Sequence, residues 1–407
     1  MNKRLLALAI AAAFVAAGFY TSLAALAPTP AVGYVFVGRA GALLLVAILA
    51  ICAAIAAVAL RRDRAPIDPT SRAILGAWLG ATLLSALLGL DPRSGLEVVA
   101  VMALLAIVHL AVRRFYGRPD AARTLFAAYL TVGVVVSATA IVMLVLREPA
   151  DLYARNHGRA AGFFVTANQF ASYLLLLGYT AFGVVLVARD RMLRTLAVAA
   201  TAIAIVALVA TVSRAGWIGA VAGAVFLLAS AHRRRSGIAA GVILVAAIVA
   251  IVAIPVARHD PSDSFNRIAT ADAGVRVAEL FPLTGAGPMT YWRVYPSIRP
   301  PNGADPGSFG ALHPHDVYLS LAGETGLVGL LAFAAGAFAF GRAIARVGAG
   351  RPAAARLPLA ICAGLLATLV QGFFDTVGVV QMTFVWIPFT ALALATADEP
   401  SALNVEG

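Results

Sequence analysis

Lysine is almost missing from this chain: of 31 basic residues only Lys3 is a lysine, and the rest are arginines. Acidic residues are scarce as well, 19 in 407, and all charged residues together reach 12%. A soluble globular domain carries about a quarter charged residues, so this shortage excludes one. Cysteine is equally thin. Cys52 and Cys362 both lie inside apolar runs, which indicates neither a disulfide framework nor a zinc site and leaves the redox compartment open. Also lacking are an Asp-x-Asp pair for a metal–nucleotide site, a Gly-x-x-x-x-Gly-Lys phosphate loop, and any Cys/His metal spacing. There is no internal repeat and no heptad region.

What the chain has in quantity is apolar surface. Hydrophobic residues make up 61% of it, and the mean hydropathy is +0.91. They fall in runs of about 17–25 residues, the length of helix that crosses roughly 30 Å of hydrocarbon. No water inside a bilayer satisfies backbone N–H and C=O groups, so helices are the plausible spanning form. The expected fold class is therefore all-α, a polytopic membrane protein with about twelve transmembrane helices. Spans are expected near 5–27, 35–60, 72–90, 95–112, 125–146, 164–188, 193–212, 216–231, 237–257, 316–340, 357–373 and 380–397. This divides the chain into helices one to nine (1–257), a large loop (258–315), helices ten to twelve (316–397) and a tail (398–407). Lys3-Arg4, the apolar run and Ala25-Leu-Ala27 resemble a signal peptide, but the run is long and Pro28 follows the would-be cut. It reads as a retained first helix.

The formal charge of +12 does not point to nucleic acid, because the arginines are scattered between hydrophobic runs. Arg61-Arg62-Asp-Arg64, Arg113-Arg114, Arg189-Asp-Arg191, Arg233-Arg234-Arg235 and Arg342 through Arg356 recur at alternate ends of the spans. With the N-terminus and Arg72, Arg118, Arg123 and Arg194 they place 20 of the 31 basic residues on one side. The long loop aside, the other side has 6, so the positive-inside rule assigns both termini to the cytoplasm.

Three features are then left on the outer face. One is the loop 147–161 with Arg155, His157 and Arg159; another is the tight turn Ser213-Arg214-Ala-Gly216; the third is the segment 258–315, rich in Pro, Gly, Asp and Arg. Within it, Phe265–Phe281 alternates apolar and charged positions as a short helix would. At its end stand His313-Pro-His315-Asp316, followed nine residues later by Gly326-Leu-Val-Gly329.

That last segment resembles the signature of the O-antigen ligase/polymerase family of bacterial envelope glycosyltransferases. Family ligases show His, then Asn, Ser or Gln, then nine residues, then Gly-x-x-Gly; the spacing from His315 matches and Asp316 departs. Four more segments are similar to family patterns, in family order: Arg159-Ala-Ala-Gly162 through Asn168-Gln-Phe-Ala, Ser213-Arg214-Ala-Gly-Trp217, Gly285-Ala-Gly287-Pro, and Gln371-Gly-Phe-Phe-Asp375. Together they cover roughly 155–395.

The resemblance implies transfer of a glycan from a polyprenyl (undecaprenyl) diphosphate carrier to an acceptor hydroxyl on the periplasmic face of the inner membrane. The acceptor would be lipid A-core for a ligase, or a second lipid-linked glycan for a polymerase. No cofactor and no metal are implied. Such chemistry needs a cationic clamp for the diphosphate, a base for the hydroxyl and a greasy lateral groove for the carrier.

Arg159 and Arg214 are the candidate clamp, since planar guanidinium donors suit phosphate oxygens and stay charged. The bland alternative for Arg214 is a snorkelling helix end. His315 is the candidate base, because an imidazole with an unperturbed pKa of about 6.5 can accept a proton; as a helix-start residue it could equally be solvated. His313, outside the match, would at most orient substrate. Asp316 would orient His315 or cap the helix. Glu324 falls inside the tenth span, where an unpaired carboxylate is costly, so it should face a polar cavity or pair with an arginine. Gly326 and Gly329 suit close helix approach. Asn168 is a substrate contact or a cap, Asp375 a partner for an arginine, and Tyr291 and Trp292 sugar platforms or interfacial anchors. A reading of another class, a twelve-helix transporter, would call for repeats and midplane polar groups, and the repeats are not there.

Overall fold

The structure, a computed structural model, describes residues 3–18, 38–63, 66–164, 166–230, 261–306, 311–350, 355–374 and 379–403. Among these the chain is helical, with no strand. The helices are α1 (Lys3–Gly18), α2 (Gly38–Arg62), α3 (Pro69–Leu88), α4 (Pro92–Phe115), α5 (Pro119–Leu146), α6 (Ala150–Arg155), α7 (Ala167–Val187), α8 (Arg191–Ala210), α9 (Arg214–Ser230), α10 (Pro261–Leu280), α11 (Tyr291–Ile298), α12 (Val317–Gly350), α13 (Arg356–Gln371) and α14 (Val379–Asp398). Six are long and apolar enough to cross a membrane: α3, α4, α5, α7, α8 and α12; α9, α13 and the 385–398 part of α14 are apolar but shorter. The expected span at 237–257 lies outside the described residues.

Local chemistry explains where the helices begin. Asp68-Pro69 and Asp91-Pro92 put an acid at the cap and a proline in the first turn, where its missing N–H costs nothing. Asp68 accepts from the Ser71 N–H at 2.9 Å and Asp91 from the Ser94 N–H at 3.3 Å. Asp190 does the same for Met192 at 2.9 Å. Between their ends the helices bury alanine and large apolar residues against one another. One face of α13 packs on α7 and α9, α12 runs along α3, and α4 packs on α14. Phe14 of α1, Tyr129 of α5 and Phe389 of α14 meet edge-on or tilted, with ring centroids 4.9–5.9 Å apart.

The two ends of the bundle differ. At one end the basic loops are held together by ion pairs: Arg113 with Asp68 (3.3 Å) and Asp398 (2.7 Å), Arg114 with Asp63 (2.5 Å), and Arg123 with Asp190 (2.8 Å). The other end carries α6, α11, most of the large loop and the tips of α7, α8, α9, α12 and α13. The 21 residues of α7 separate the ends by roughly 30 Å at 1.5 Å per residue.

The large loop is built, not merely long. Residues expected as a short helix within 265–281 form α10, which with α11 encloses a small core of Val277, Tyr291, Val294 and Tyr295. Helix α10 lies on the start of α12, with Gly274 against Pro314 and Val277 against Gly323. Arg293 of α11 reaches Asp91 at the α3–α4 turn, 2.6 Å away.

Gly326 and Gly329 do not serve close helix approach. Gly326 has φ 61° and ψ −163°, a break inside α12. The Gly285-Ala286-Gly287 turn of the loop fills the place a neighbouring helix would take. The carbonyls of Gly323 and Glu324 accept the N–H groups of Ala286 (2.8 Å) and Gly287 (3.1 Å). The N–H groups of Leu327 and Val328 in turn donate to the carbonyls of Pro282 (2.9 Å) and Leu283 (3.1 Å). Ser85 of α3 gives its hydroxyl to the Glu324 carbonyl at 2.6 Å, and Leu90 N–H donates to Ala286 O at 2.7 Å. These four backbone groups at the break are thus met by protein, the condition under which irregular backbone persists at membrane depth. A Cβ on Gly285 (φ 74°) would stand 2.2 Å from the Glu324 carbonyl carbon, and one on Gly326 would stand 2.4 Å from Leu283 O. At Gly329 the obstruction is Thr325 of the same helix.

Replacing Gly326 with alanine is expected to destabilise the protein by more than the about 1–3 kcal/mol of a residue held in glycine-only backbone, because the wedge must also shift. Thermal unfolding in detergent, with protease sensitivity of the 282–288 turn as local probe, checks this. An unchanged midpoint with unchanged cleavage would show that the break needs no glycine.

Candidate functional site

The turn between α8 and α9 is the first half of the site. Thr211 ends α8 and donates its hydroxyl to Leu208 O at 2.7 Å, while accepting from Ser213 N–H at 3.2 Å. Val212 between them has φ 49°, a conformation that a β-branched residue adopts only when its surroundings impose it. Ser213 caps α9 by accepting from Gly216 N–H at 3.1 Å, and Trp217 ties back to Leu208 O at 3.1 Å. This sets Arg214 as the first residue of α9, partly buried. It makes no ion pair with the described residues.

Arg159 approaches the same turn from the loop after α6. Its Nε donates to Thr211 O at 2.8 Å and its Nη2 to Asn168 Oδ1 at 2.5 Å. Ala160 N–H donates to Ala210 O at 3.0 Å, so the segment is pinned along the end of α8. Asn168 therefore orients Arg159. The cap of α7 is Thr166, which accepts from Gln169 N–H at 3.2 Å. Asn156, buried, holds the strand of loop from the other side: its Oδ1 accepts from Ala167 N–H at 2.8 Å and its Nδ2 donates to Leu152 O at 3.2 Å.

His315 stands at the second half, before α12. It is half-buried with φ 54°, and its ring meets that of buried His313 edge-on, centroids 4.6 Å apart. Asp316 caps α12, its Oδ1 accepting from Tyr318 N–H (2.7 Å) and Leu319 N–H (2.9 Å). Burial pushes the Asp316 carboxyl above the usual range against the pull of those two donors. The start of α12 is moored to the end of α13: Val317 N–H donates to Gly372 O at 2.8 Å, and Tyr318 lies on Phe373 with centroids 4.2 Å apart. Arg267 of α10 closes over this corner, donating to Phe374 O at 3.0 Å.

The end of α13 also reaches the first half. Gln371 donates from Nε2 to Asn168 O at 2.7 Å and accepts at Oε1 from the Ser172 hydroxyl at 3.0 Å. The structure thus brings Arg159, Asn168 and the Arg214 turn into one network and ties it to the His315 corner through one helix end. Glu324 stands apart from these. Its carboxylate is buried in the α12 break and accepts from Met289 N–H at 3.1 Å, and no arginine pairs with it among the described residues. Tyr291 is buried with its hydroxyl on Thr270 O at 2.8 Å, so its ring belongs to the loop core and offers no platform. Trp292 lies beside the Arg293 guanidinium, 5.0 Å from its ring centroid. His157 is exposed in a turn at φ 53°. Asp375 lies outside the described residues.

Three members of the network were not legible beforehand. Asn156 is one polar residue in a polar loop, Thr211 ends an apolar run, and Gln371 is a single amide at the end of another. Nothing local marks any of them as a hydrogen-bonding partner.

Directly below the cluster, α7, α8 and α9 enclose an open apolar groove of about 370 Å³, lined by Leu174, Gly178, Ala204, Ile205, Leu208 and Ala220 among others. Among the described residues its polar side chains are Thr201, bonded to Ala197 O at 2.8 Å, and Tyr179, whose hydroxyl donates to Ala220 O. Leu208 marks its upper end, three residues before the Thr211 carbonyl that Arg159 holds.

Fold and site together define a multi-pass helical membrane protein with a basic, histidine-bearing cluster at one end of the bundle, opposite the short basic loops. Residues 199–334, about a third of the chain, match the family model described as O-antigen ligase, the family that the motifs resemble. The matched segment contains Arg214, His313, His315 and Glu324; Arg159, Asn168 and Asp375 lie outside it. No curated protein matches the chain.

Replacing Asp316 with asparagine keeps an oxygen facing Tyr318 and Leu319 N–H, so stability should hold. Alanine should cost about 1 kcal/mol, the usual value of an N-cap. Thermal unfolding of the purified variants measures both; equal losses in the two would mean that the carboxylate, not the cap, is what matters.

Proposed function

We propose that the chain is a glycosyltransferase that moves a glycan from a polyprenyl diphosphate to an acceptor hydroxyl at the periplasmic face. The carrying observation is the placement of the Arg159–Asn168–Arg214 cluster at the head of an apolar groove, with His315 moored to the same framework. A lipid diphosphate has the matching anatomy, an anionic head on a branched hydrocarbon tail. Twelve spans with both termini in the cytoplasm would put this end outside, since the short basic loops lie at the other.

In this reading the acceptor oxygen attacks the anomeric carbon as the carbon–oxygen bond to the diphosphate breaks. His315 takes the hydroxyl proton. Arg159 and Arg214 receive the charge that develops on the departing diphosphate; Arg159 is already aimed by Thr211 and Asn168, so little reorganisation is needed. His313 sets the position of the His315 ring. Asn168 acts through Arg159, Glu324 through the loop it holds, and Asp375 is the carboxylate proposed to pair with an arginine of the cluster.

Ligation to lipid A-core is the favoured form. Asp316 departs from the usual amide or hydroxyl beside the histidine, yet it caps α12 as either of those would, so the departure does not weigh against a ligase. Polymerisation onto a second lipid-linked glycan is the other form.

Deleting the gene and complementing it with wild type, Arg214→Ala or His315→Ala tests the reading. Both variants, inserted at normal levels, should lower transfer by about 100-fold or more, as loss of a charge-stabilising donor or a base does. Unligated long chains on the carrier would mark a ligase and single repeat units a polymerase; wild-type surface glycan from either variant would rule the site out. The groove has its own test. A leucine at Gly178, where a Cβ meets only Ala204 at 3.6 Å, should fill it and raise the donor KM by about 10-fold. Donors with a truncated lipid should be unaffected, and an equal effect on them would exclude the groove as the tail site.

A further inference from the structure

Gln371 is buried, with 1% of its surface exposed. It lies in none of the positions read as clamp or base, yet both ends of its amide are used across elements. Nε2 holds Asn168 O of α7 and Oε1 holds the Ser172 hydroxyl one turn further on. The next residue, Gly372, presents the carbonyl to which Val317 N–H is bonded at 2.8 Å, two residues after His315. Gly372 also admits no larger residue cheaply: a Cβ there would lie 2.7 Å from Val317 Cγ1. The last turn of α13 is therefore a strut with the anion-binding half on one side and the imidazole on the other.

We propose that Gln371 is a positioning residue for the transfer reaction: its amide sets the α13 terminus against α7 and thereby fixes the distance between the Arg159–Asn168 pair and His315. The role rests on the glycosyltransferase reading and adds a residue to it. Arg159 keeps its own bond to Thr211 O without Gln371, so the donor site survives loss of the strut. The start of α12 is less independent, because the Val317 bond to Gly372 O and the Tyr318 contact with Phe373 both tie it to the residues that follow the glutamine. Rotation of the α13 end would carry His315 away from an acceptor while leaving the diphosphate held. A methionine of similar length at 371 fills the space and removes both bonds. Gly372→Ala leaves the amide intact and pushes on Val317, reaching the same geometry from the other side.

The test measures donor binding stoichiometry, donor KM and kcat per donor-binding site for the full-length protein in nanodiscs. Polyprenyl-diphosphate-linked glycan is the donor, and wild type is compared with Gln371→Met, Gly372→Ala, His315→Ala and the His315→Ala/Gln371→Met double variant. Gln371→Met and Gly372→Ala are expected to keep donor KM within about twofold while kcat per site falls about 10-fold to 100-fold, the cost of an ångström-scale misplacement. On the His315→Ala background the glutamine change should add less than about threefold, since coupled residues are not additive. A merely structural glutamine would instead lower stoichiometry in proportion to activity, or multiply fully with His315→Ala; either result overturns the proposal. If His315→Ala itself retains wild-type kcat, the functional reading fails and the strut falls with it. If His315→Ala is impaired and Gln371→Met and Gly372→Ala are not, only the strut fails.

Discussion

The break in α12 is the constraint on which the site end of the bundle depends. A helix that runs unbroken satisfies its own backbone; one interrupted at Gly326 leaves carbonyls and N–H groups that a bilayer cannot solvate. Here the large loop answers them. Ala286, Gly287, Pro282 and Leu283 supply the complementary groups, and Ser85 adds a hydroxyl from α3. The loop is thereby fastened to the membrane helices by backbone bonds, which side-chain substitution cannot easily undo. Glu324 belongs to the same device: its buried carboxylate meets the Met289 N–H where the loop leaves the break.

With the loop fastened, the first turns of α12 acquire a fixed direction, and the corner bearing His315 follows. Two further attachments define that corner, the Asp316 cap and the Val317–Gly372 bond. Strained backbone accompanies it. His315 and Val212 both sit at positive φ without being glycine, the first being the candidate base itself and the second standing two residues before Arg214. Residues in such conformations persist where the surroundings over-determine them, and here capping bonds on both sides do so.

The arrangement separates two jobs that a single polar cluster could have mixed. The cationic half is organised by Thr211 and Asn168 at the α8–α9 turn and the start of α7, above an apolar groove. The histidine half is organised by α12 and the loop. Among the described residues, the end of α13 is hydrogen-bonded to both. A small, almost wholly buried element therefore controls the relation between halves that come from segments more than a hundred residues apart in sequence.

Much of this was legible from residue types. Apolar runs and their lengths are local properties, and α3, α4, α5, α7, α8 and α12 arise within a few residues of where hydropathy placed them, with Asp-Pro pairs and basic residues marking the ends. Arg159, Arg214 and His315 stood out because charged and titratable groups are rare in such a chain. Gly-x-x-Gly spacing suits both close packing and a positive-φ break, and only the backbone angles at Gly326 distinguish them. Tyr291 is buried in the loop core, and an aromatic in a loop carries no mark in the sequence of whether such a core will bury it. The sequence by itself determined the helical architecture with its long apolar spans, and it supplied the few charged and titratable residues from which a site could be built. Tertiary structure alone decided which partners aim them, because those bonds join residues such as Gln371 and Asn168, or Ser85 and Glu324, that lie 203 and 239 positions apart. No periodicity or composition within one segment encodes a hydrogen bond made by another.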